Sequence, residues 1–382
     1  MLPSVSLHVT TKDLRHASRI LRSATALISG GVVGRVVVTG LARSESAEIE
    51  RPGRGVAFVR MPSIFRRLPR FLLSQAIKEV ERTVRVCTVA RRLRPAVVTA
   101  RSAWDLPASW LAARSVGAAL VYEPHELESG RNGMTWIRSR IVRAIERVFG
   151  RRAGACVAVG NRIAEHYSAQ LRIPCFTVFN VPAVRPAASV PGLRHRAGIS
   201  AGDRVLAYVG ALVEGRGLAD MAEAVRVSST RWRLVAMGPG PLADALAHGP
   251  GGRCTVIDPV PAPEVVGAIA DADLSAVLIE PICESYRLCM PNKLFESLSA
   301  GVPVIASDLP ELGDFVREHG VGVLVAPGSG ARAIADALDS VTDEQLAGWR
   351  EAIPRALGRA SPEAGAATLV CAYRTAMDRR RS

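Results

Sequence analysis

Lysine is almost absent from this chain of 382 residues: only Lys12, Lys78 and Lys293 occur, and arginine supplies nearly all of the positive charge. Long apolar runs are missing too. No stretch reaches the roughly 18 uncharged apolar residues that a membrane-crossing helix needs. The N-terminal "MLPSVSLHVTTKDLRH" lacks the cationic start and apolar core of a secretory leader. The seven cysteines (87, 156, 175, 254, 283, 289 and 371) form no CxxC pair and no metal-ligand spacing, which argues against a disulfide framework and for reduced thiols in the cytoplasm. Aromatic residues, at 5%, offer few stacking platforms for single-stranded nucleic acid, so no nucleic-acid partner is expected. There is no fixed-period repeat and no long low-complexity tract.

What the chain does have is charge in one half. Residues 1–190 carry 30 Lys/Arg against 12 Asp/Glu, whereas 191–382 carry 19 against 23. A surplus confined to the first half points to an anionic partner there, unless it is only the solvated basic face of an arginine-rich protein. With 48% hydrophobic content, a chain of this length supports two ordinary cores.

Short apolar runs alternate with helical patterns almost throughout, the signature of parallel βαβ units. Strands are expected near 4–9, 35–39, 55–59, 96–100, 118–122, 155–159 and 175–179, then near 204–209, 233–237, 254–258, 274–279, 302–306 and 321–325. The aperiodic "VPAVRPAASVPG" (181–192) reads as a linker. The expected fold is α/β, two doubly wound Rossmann-like domains facing each other across a cleft lined by the C-terminal ends of the strands. Residues 1–185 form one domain and 203–360 the other, joined by 186–202, with 361–382 a C-terminal helix packing back on the first domain.

One of the three lysines lies in "PNKLFESLSAGVPVIASDLPE" (291–311). Pro291 suits a helix start and Gly301 a left-handed helix end. At about 100° per residue, Leu294, Phe295 and Leu298 share one side of that helix, with Lys293 and Glu296 neighbours on the other. Both charges fall in the first two turns, where free N–H groups and the helix dipole favour an anion. A phosphate there would meet N–H groups and an ammonium, beside a carboxylate able to accept hydrogen bonds from sugar hydroxyls. The same spacing equally suits a Lys–Glu pair on a wet helix surface, worth about a few tenths of a kcal/mol.

This segment resembles the nucleotide-sugar-binding segment of retaining glycosyltransferases of family 4, which have the GT-B fold. The likeness extends to "LAYVGALVEGRGLADMAEAV" (206–225), similar to that family's first strand and phosphate loop, and to "RLVAMGPGPLADAL" (233–246). It continues in "VIDPVPAPEVVGAIADADLSAVLIEP" (256–281), similar to the base-binding loop and following strand, in "VYEPHELESG" (121–130) and in "TTKDLRHASRILRSATAL" (10–27). The resemblance implies that Glu296 holds the donor ribose, that Lys293 and Arg216 neutralise the diphosphate leaving group, and that Gly210 allows its close approach. It further implies donor contacts from Gly238, Pro259, Val260, Asn292 and Leu294, and a catalytic His125 reaching toward the transferred sugar. Such chemistry puts negative charge on a departing diphosphate, which fixed cations stabilise most strongly away from water. Retention without an enzymic nucleophile implies front-face attack by the acceptor.

Two positions depart from the family pattern. Leu288 stands where many members have a sugar-contacting Glu, with Glu284 four residues before it. Ala211 stands where an Arg often follows the strand glycine, leaving Arg216 and Lys293 as the diphosphate clamp.

The remaining candidates are weaker. Asp271 and Asp273 match an Asp-x-Asp metal pattern but precede a strand instead of leaving one, so no metal site is expected. "GPG" (238–240) is a tight turn after a strand, without the full phosphate-binding spacing. His125 falls at a strand end, with Glu123 and Glu126 beside it as candidates for proton removal. Cys283 and Cys289 read as packing thiols. In residues 61–86, Arg66, Arg67 and Arg70 interleave with Phe65, Leu68, Phe71, Leu72 and Leu73, a mixture suited to an anionic membrane interface.

The expected activity is metal-independent, hexosyl-type transfer from a nucleotide diphosphate sugar, with no further cofactor. The expected acceptor is a lipid-linked or growing glycan of a bacterial surface polysaccharide. The protein is expected in the cytoplasm, peripheral at the inner face of the cell membrane. A nucleotide-sugar epimerase of the same fold and a non-catalytic partner-binding protein are the alternatives.

Overall fold

A computed structural model of the chain describes residues 4–11, 18–41, 48–62, 64–67, 72–182, 190–249 and 251–381. It divides into two compact units, residues 1–179 with 363–382, and residues 180–362.

The first unit is built on strands β1 (Val5–Val9), β2 (Arg35–Leu41), β3 (Glu48–Gly53), β4 (Val56–Met61), β5 (Val97–Ala100), β6 (Ala119–Tyr122), β7 (Ala155–Ala158) and β8 (Cys175–Thr177). Their order across the sheet is β3-β4-β2-β1-β5-β6-β7-β8, with all pairs parallel except β3–β4. Four-residue strands such as β5 and β6 are buried at every position, as parallel strands covered on both faces must be. The order reverses between β1 and β5, so the C-terminal ends of these two strands mark the unit's topological switch point. β3 has no counterpart among the expected strands. Its sequence EIERPG is exposed throughout and pairs only with β4. Charge and a proline suit an edge, and a strand without an apolar face leaves no alternation to read.

The C-terminal helix Pro362–Arg381 belongs to this first unit. Its Leu369, Ala372, Tyr373 and Ala376 join Val36, Val38, Val121 and Val157 in one core. Gly154 makes the approach possible, because a Cβ there would lie 2.6 Å from Ala376 Cα.

The second unit carries β9 (Arg204–Val209), β10 (Trp232–Met237), β11 (Cys254–Ile257), β12 (Leu274–Val277), β13 (Val304–Ser307) and β14 (Gly322–Val325). They form an all-parallel sheet in the order β11-β10-β9-β12-β13-β14, whose switch point lies between β9 and β12. Both units are Rossmann-like α/β sheets, as expected from the alternating pattern. Part of the segment read as linker is instead structural: Leu193, in the short helix Leu193–Ala197, is buried with Val205, Val235 and Ile269. Residues 183–189 of that linker lie outside the described residues. Among the described residues no helix is long and apolar enough to cross a membrane.

Candidate functional site

At the second switch point the chain leaves β9 through Gly210 (φ +126°) and leaves β10 through Gly238 (φ +153°). The two exits are laced together: Gly210 N donates to Met237 O (3.0 Å) and Leu212 N to Pro239 O (2.9 Å). A Cβ on Gly238 would fall 2.0 Å from Gly210 O, so no other residue fits this crossing.

The loop after β9 continues to Arg216, held between Gly215 (φ +75°) and Gly217 (φ +63°). Glu280, just past β12, staples that loop from the far side of the switch point. Gly217 N donates to its carboxylate (3.3 Å), and its own N–H donates to Gly215 O (3.2 Å). Arg216 lies over the Tyr286 ring, 4.3 Å from its centroid, and donates to Tyr286 Oη (3.1 Å). The guanidinium is thus pre-aimed, which lowers the entropy lost when it meets a phosphate.

The helix Asn292–Ser299 begins one residue after the expected start, with Pro291 as its extended N-cap, and Gly301 follows it at φ +75°. Leu294, Phe295 and Leu298 are buried as the period requires. Leu294 therefore points into the core, and its N–H donates to Pro291 O (3.1 Å). Ser297 Oγ, 2.7 Å from Ser275 Oγ on β12, fixes the helix against the sheet.

Lys293 is not one half of a wet surface pair. Its Nζ is buried, sits 3.9 Å from the centroid of the Tyr208 ring and has no hydrogen-bond partner among the described residues. Burial first, then the nearby Arg216 charge, pull its pKa down to about 7, against the opposing pull of Glu296 and Cys289. A buried amine set on an aromatic face without a hydrogen-bond acceptor among the described residues is poised for an anion. The structure therefore brings Arg216, Lys293, Glu296 and the Gly210–Gly238 crossing to one strand-end site.

Three contributors were not legible beforehand: Tyr208, Tyr286 and Glu280. The chain has only five tyrosines, and two of them lie under the two cations of this site. Pro259 and Val260 follow β11 at the same C-terminal edge of the sheet, Pro259 exposed and Val260 half-buried, and Asn292 is exposed. Leu288 is buried, while the Glu284 carboxylate accepts two hydrogen bonds from Arg287 (2.7 and 3.0 Å).

Residues 203–344 match a family model described as "Glycosyl transferases group 1", and residues 16–182 one described as "Glycosyl transferase 4-like domain". This chain is built of glycosyltransferase domains. Over 158 residues it is 29% identical to a protein of Bacillus subtilis described as a putative teichuronic acid biosynthesis glycosyltransferase, a match covering 41% of this chain and 37% of that relative. Among solved structures, Anabaena HepE in complex with UDP-glucose aligns over 96% of this chain and 98% of its own, with a TM-score of 0.72 at 15% identity. Sucrose-phosphate synthase of Thermosynechococcus elongatus aligns over 99% and 98%, with a TM-score of 0.71 at 13% identity. At such identities these two speak for the fold alone.

In the glycosyl transferase 4-like domain His125 follows β6 at the C-terminal edge of the sheet and is half-buried. Glu123, a candidate for proton removal beside it, is committed elsewhere. It is buried, accepting from Arg101 Nη1 (2.9 Å) and Ser23 Oγ (3.1 Å) on one oxygen and from Tyr373 Oη (3.2 Å) on the other. Arg101 Nη2 in turn lies 2.9 Å from His8 Nδ1. A guanidinium only donates, so Nδ1 accepts and the imidazole is neutral; burial and the Arg101 charge hold its pKa well below the usual value. Glu126 pairs with Arg131 (3.1 Å).

The Asp-x-Asp run is occupied in the group 1 domain. Asp271 accepts from the backbone N–H groups of Leu193 (2.9 Å) and Arg194 (3.1 Å), and Asp273 from Val205 N (2.7 Å) and Arg194 Nη2 (2.5 Å). These carboxylates tie the short helix Leu193–Ala197 to β9 and β12.

Proposed function

We propose that this protein transfers a sugar, with retention of configuration, from a nucleotide diphosphate sugar to a lipid-linked or growing glycan of a bacterial surface polysaccharide. The observation that carries the reading is the convergence of a buried, unsatisfied Lys293 Nζ and an aromatic-backed Arg216 at the β9/β12 switch point, beside Glu296. A diphosphate would satisfy Lys293, and both cations would take up charge as the anomeric C–O bond breaks. Glu296 is assigned to the ribose hydroxyls, and His125, which follows β6, to the transferred sugar. Anabaena HepE, of the same fold, is solved with UDP and with UDP-glucose, in keeping with a nucleotide sugar donor, and the Bacillus subtilis relative is described in teichuronic acid biosynthesis, in keeping with such an acceptor. Work on a lipid-linked acceptor places the protein at the cytoplasmic face of the membrane, docked through its basic first domain.

Incubation with labelled UDP-, GDP- and ADP-sugars, with and without membranes, tests the reading. Label in a lipid-extractable product is expected. Epimerised free donor would instead make the protein an isomerase, and binding of no member of the panel would make it non-catalytic.

We propose further that the transfer needs no metal ion, because Asp271 and Asp273 already serve backbone N–H groups and an arginine. Turnover should be unchanged by a chelator. Inhibition by chelator that Mn²⁺ or Mg²⁺ reverses would reassign both aspartates.

A further inference from the structure

The helix Trp136–Phe149 turns polar groups inward beside Val142. Its inward face carries Ser139, Val142 and the carboxylate of Glu146, all buried. Glu146 accepts from Tyr122 Oη (2.9 Å), Tyr167 Oη (2.9 Å) and Gln170 Nε2 (3.0 Å), and Ser139 Oγ donates to Ser129 O (2.7 Å). These bonds fix which side turns inward. On the opposite side, at helical spacing, Ile137 is 53% exposed, Ile141 44% and Val148 47%, and Trp136, at the edge of that side, is 70% exposed. Three large apolar side chains on one helix face, with a tryptophan at its edge, are unusual on a water-facing surface, and water gains nothing from them.

Arginines flank this face. Arg140, Arg143 and Arg147 run along one side and Arg138 lies on the other, all exposed. Residues 131–152 together carry seven arginines against the single, buried Glu146. The Arg140 guanidinium stands 5.8 Å from the Trp136 ring centroid, an arrangement that keeps the charge beside the ring. An apolar stripe edged by cations complements one surface in particular: acyl chains beneath anionic headgroups. Tryptophan at the edge of such a stripe suits the headgroup level.

We infer that the outward face of helix Trp136–Phe149 is a lipid-docking surface, lying in the plane of an anionic bilayer with Trp136, Ile137, Ile141 and Val148 inserted and the arginines among the headgroups. This deepens the membrane reading of the proposed function and rests on it, but it moves the contact. The sequence pointed to residues 61–86, which the structure divides into the end of β4, a 3₁₀ turn Ile64–Arg67 and the helix Leu72–Leu93. Ile64 and Phe65 are exposed. Leu68, Arg70 and Phe71 lie outside the described residues, and only the backbone of Arg66, Arg67, Leu72 and Leu73 is described.

Co-sedimentation with phosphatidylcholine vesicles, with and without phosphatidylglycerol, tests the surface. The intact protein should bind the mixed vesicles and be released by salt. Arg140→Ser with Arg147→Ser should weaken binding by about 30-fold at low salt and little at high salt. Trp136→Ser with Ile141→Ser should weaken it by about tenfold or more at either salt, because insertion of apolar area is not screened. Quenching of tryptophan fluorescence by brominated lipid should fall in that variant. These residues are exposed, so circular dichroism and UDP binding should match the parent. If the parent binds while both variants bind equally well, and Arg66→Ser with Arg67→Ser abolishes binding, the helix is not the contact and the membrane reading stands without it. Failure of the parent to bind any vesicle overturns the surface and the membrane reading together. Equal binding of the parent to neutral vesicles overturns the assignment to anionic lipid.

Discussion

Replacing Lys293 or Glu296 with alanine is expected to lower kcat/KM by about a hundredfold or more, the scale of one lost charge-assisted contact to the donor, about 2.7 kcal/mol. The Lys293 variant should show more than a loss. Its Nζ has no hydrogen bond to forfeit and is already stripped of water, so Lys293→Met should be at least as stable to urea as the parent while binding UDP far more weakly. The sign of the proton linkage follows from the lowered pKa. With Lys293 titrating near 7, about nine in ten molecules carry it neutral at pH 8, and a bound diphosphate restores the charge. UDP binding should therefore take up close to one proton at pH 8 and little at pH 6, and affinity should fall as pH rises above 7. Calorimetry in buffers of different ionisation enthalpy measures this directly. Near-normal turnover in both alanine variants, or proton uptake that survives in Lys293→Met, would remove the assignment.

Glu123→Ala should be the most destabilising of simple substitutions in the first domain. Arg101 and Glu123 are both buried, 2.9 Å apart. Removing the carboxylate leaves a guanidinium sealed from water with His8 as its remaining side-chain partner, a loss of about 3–5 kcal/mol. It also takes the acceptor from the Ser23 hydroxyl and leaves Tyr373 Oη with Thr99 Oγ1 alone. The cost belongs to the orphaned charge more than to the lost attraction, so Glu123→Leu combined with Arg101→Met should recover much of it. Urea unfolding of the single and double variants decides the point. A single variant as stable as the parent would mean that water reaches Arg101.

The parallel strands were legible because burial on both faces writes them as short β-branched runs, and the helix at 292–299 because Leu294, Phe295 and Leu298 keep its period. The polar edge strand β3 left no such trace. Lys293 was legible as a cation near a helix start, but its burial was not, since the Tyr208 ring that covers it comes from a strand 85 positions earlier. Glu123 and His125 read alike beside one another, yet Glu123 is buried against Arg101 and Tyr373 whereas His125 is half-buried. Helix Trp136–Phe149 shows the limit most clearly. Val142 and Ile141 are adjacent, one buried and one exposed, and only Tyr122, Tyr167 and Gln170, gathered on Glu146 from other elements, decide which way the helix turns. A telling sign in the sequence was scarcity itself: every one of the five tyrosines lies against an ionisable side chain.

The helix Pro362–Arg381 gives the order of synthesis a consequence for folding. The first domain begins to emerge from the ribosome long before the second, yet its core lacks Leu369, Tyr373 and Ala376 until residues beyond 362 are made. Until then the Glu123 carboxylate is without the Tyr373 hydroxyl, and the groove against Gly154 is open. The group 1 domain, contiguous from 180 to 362, has all of its parts earlier. The domain that starts first is thus completed after the second, and a nascent chain stopped after residue 362 carries a finished second domain tethered to an unfinished first.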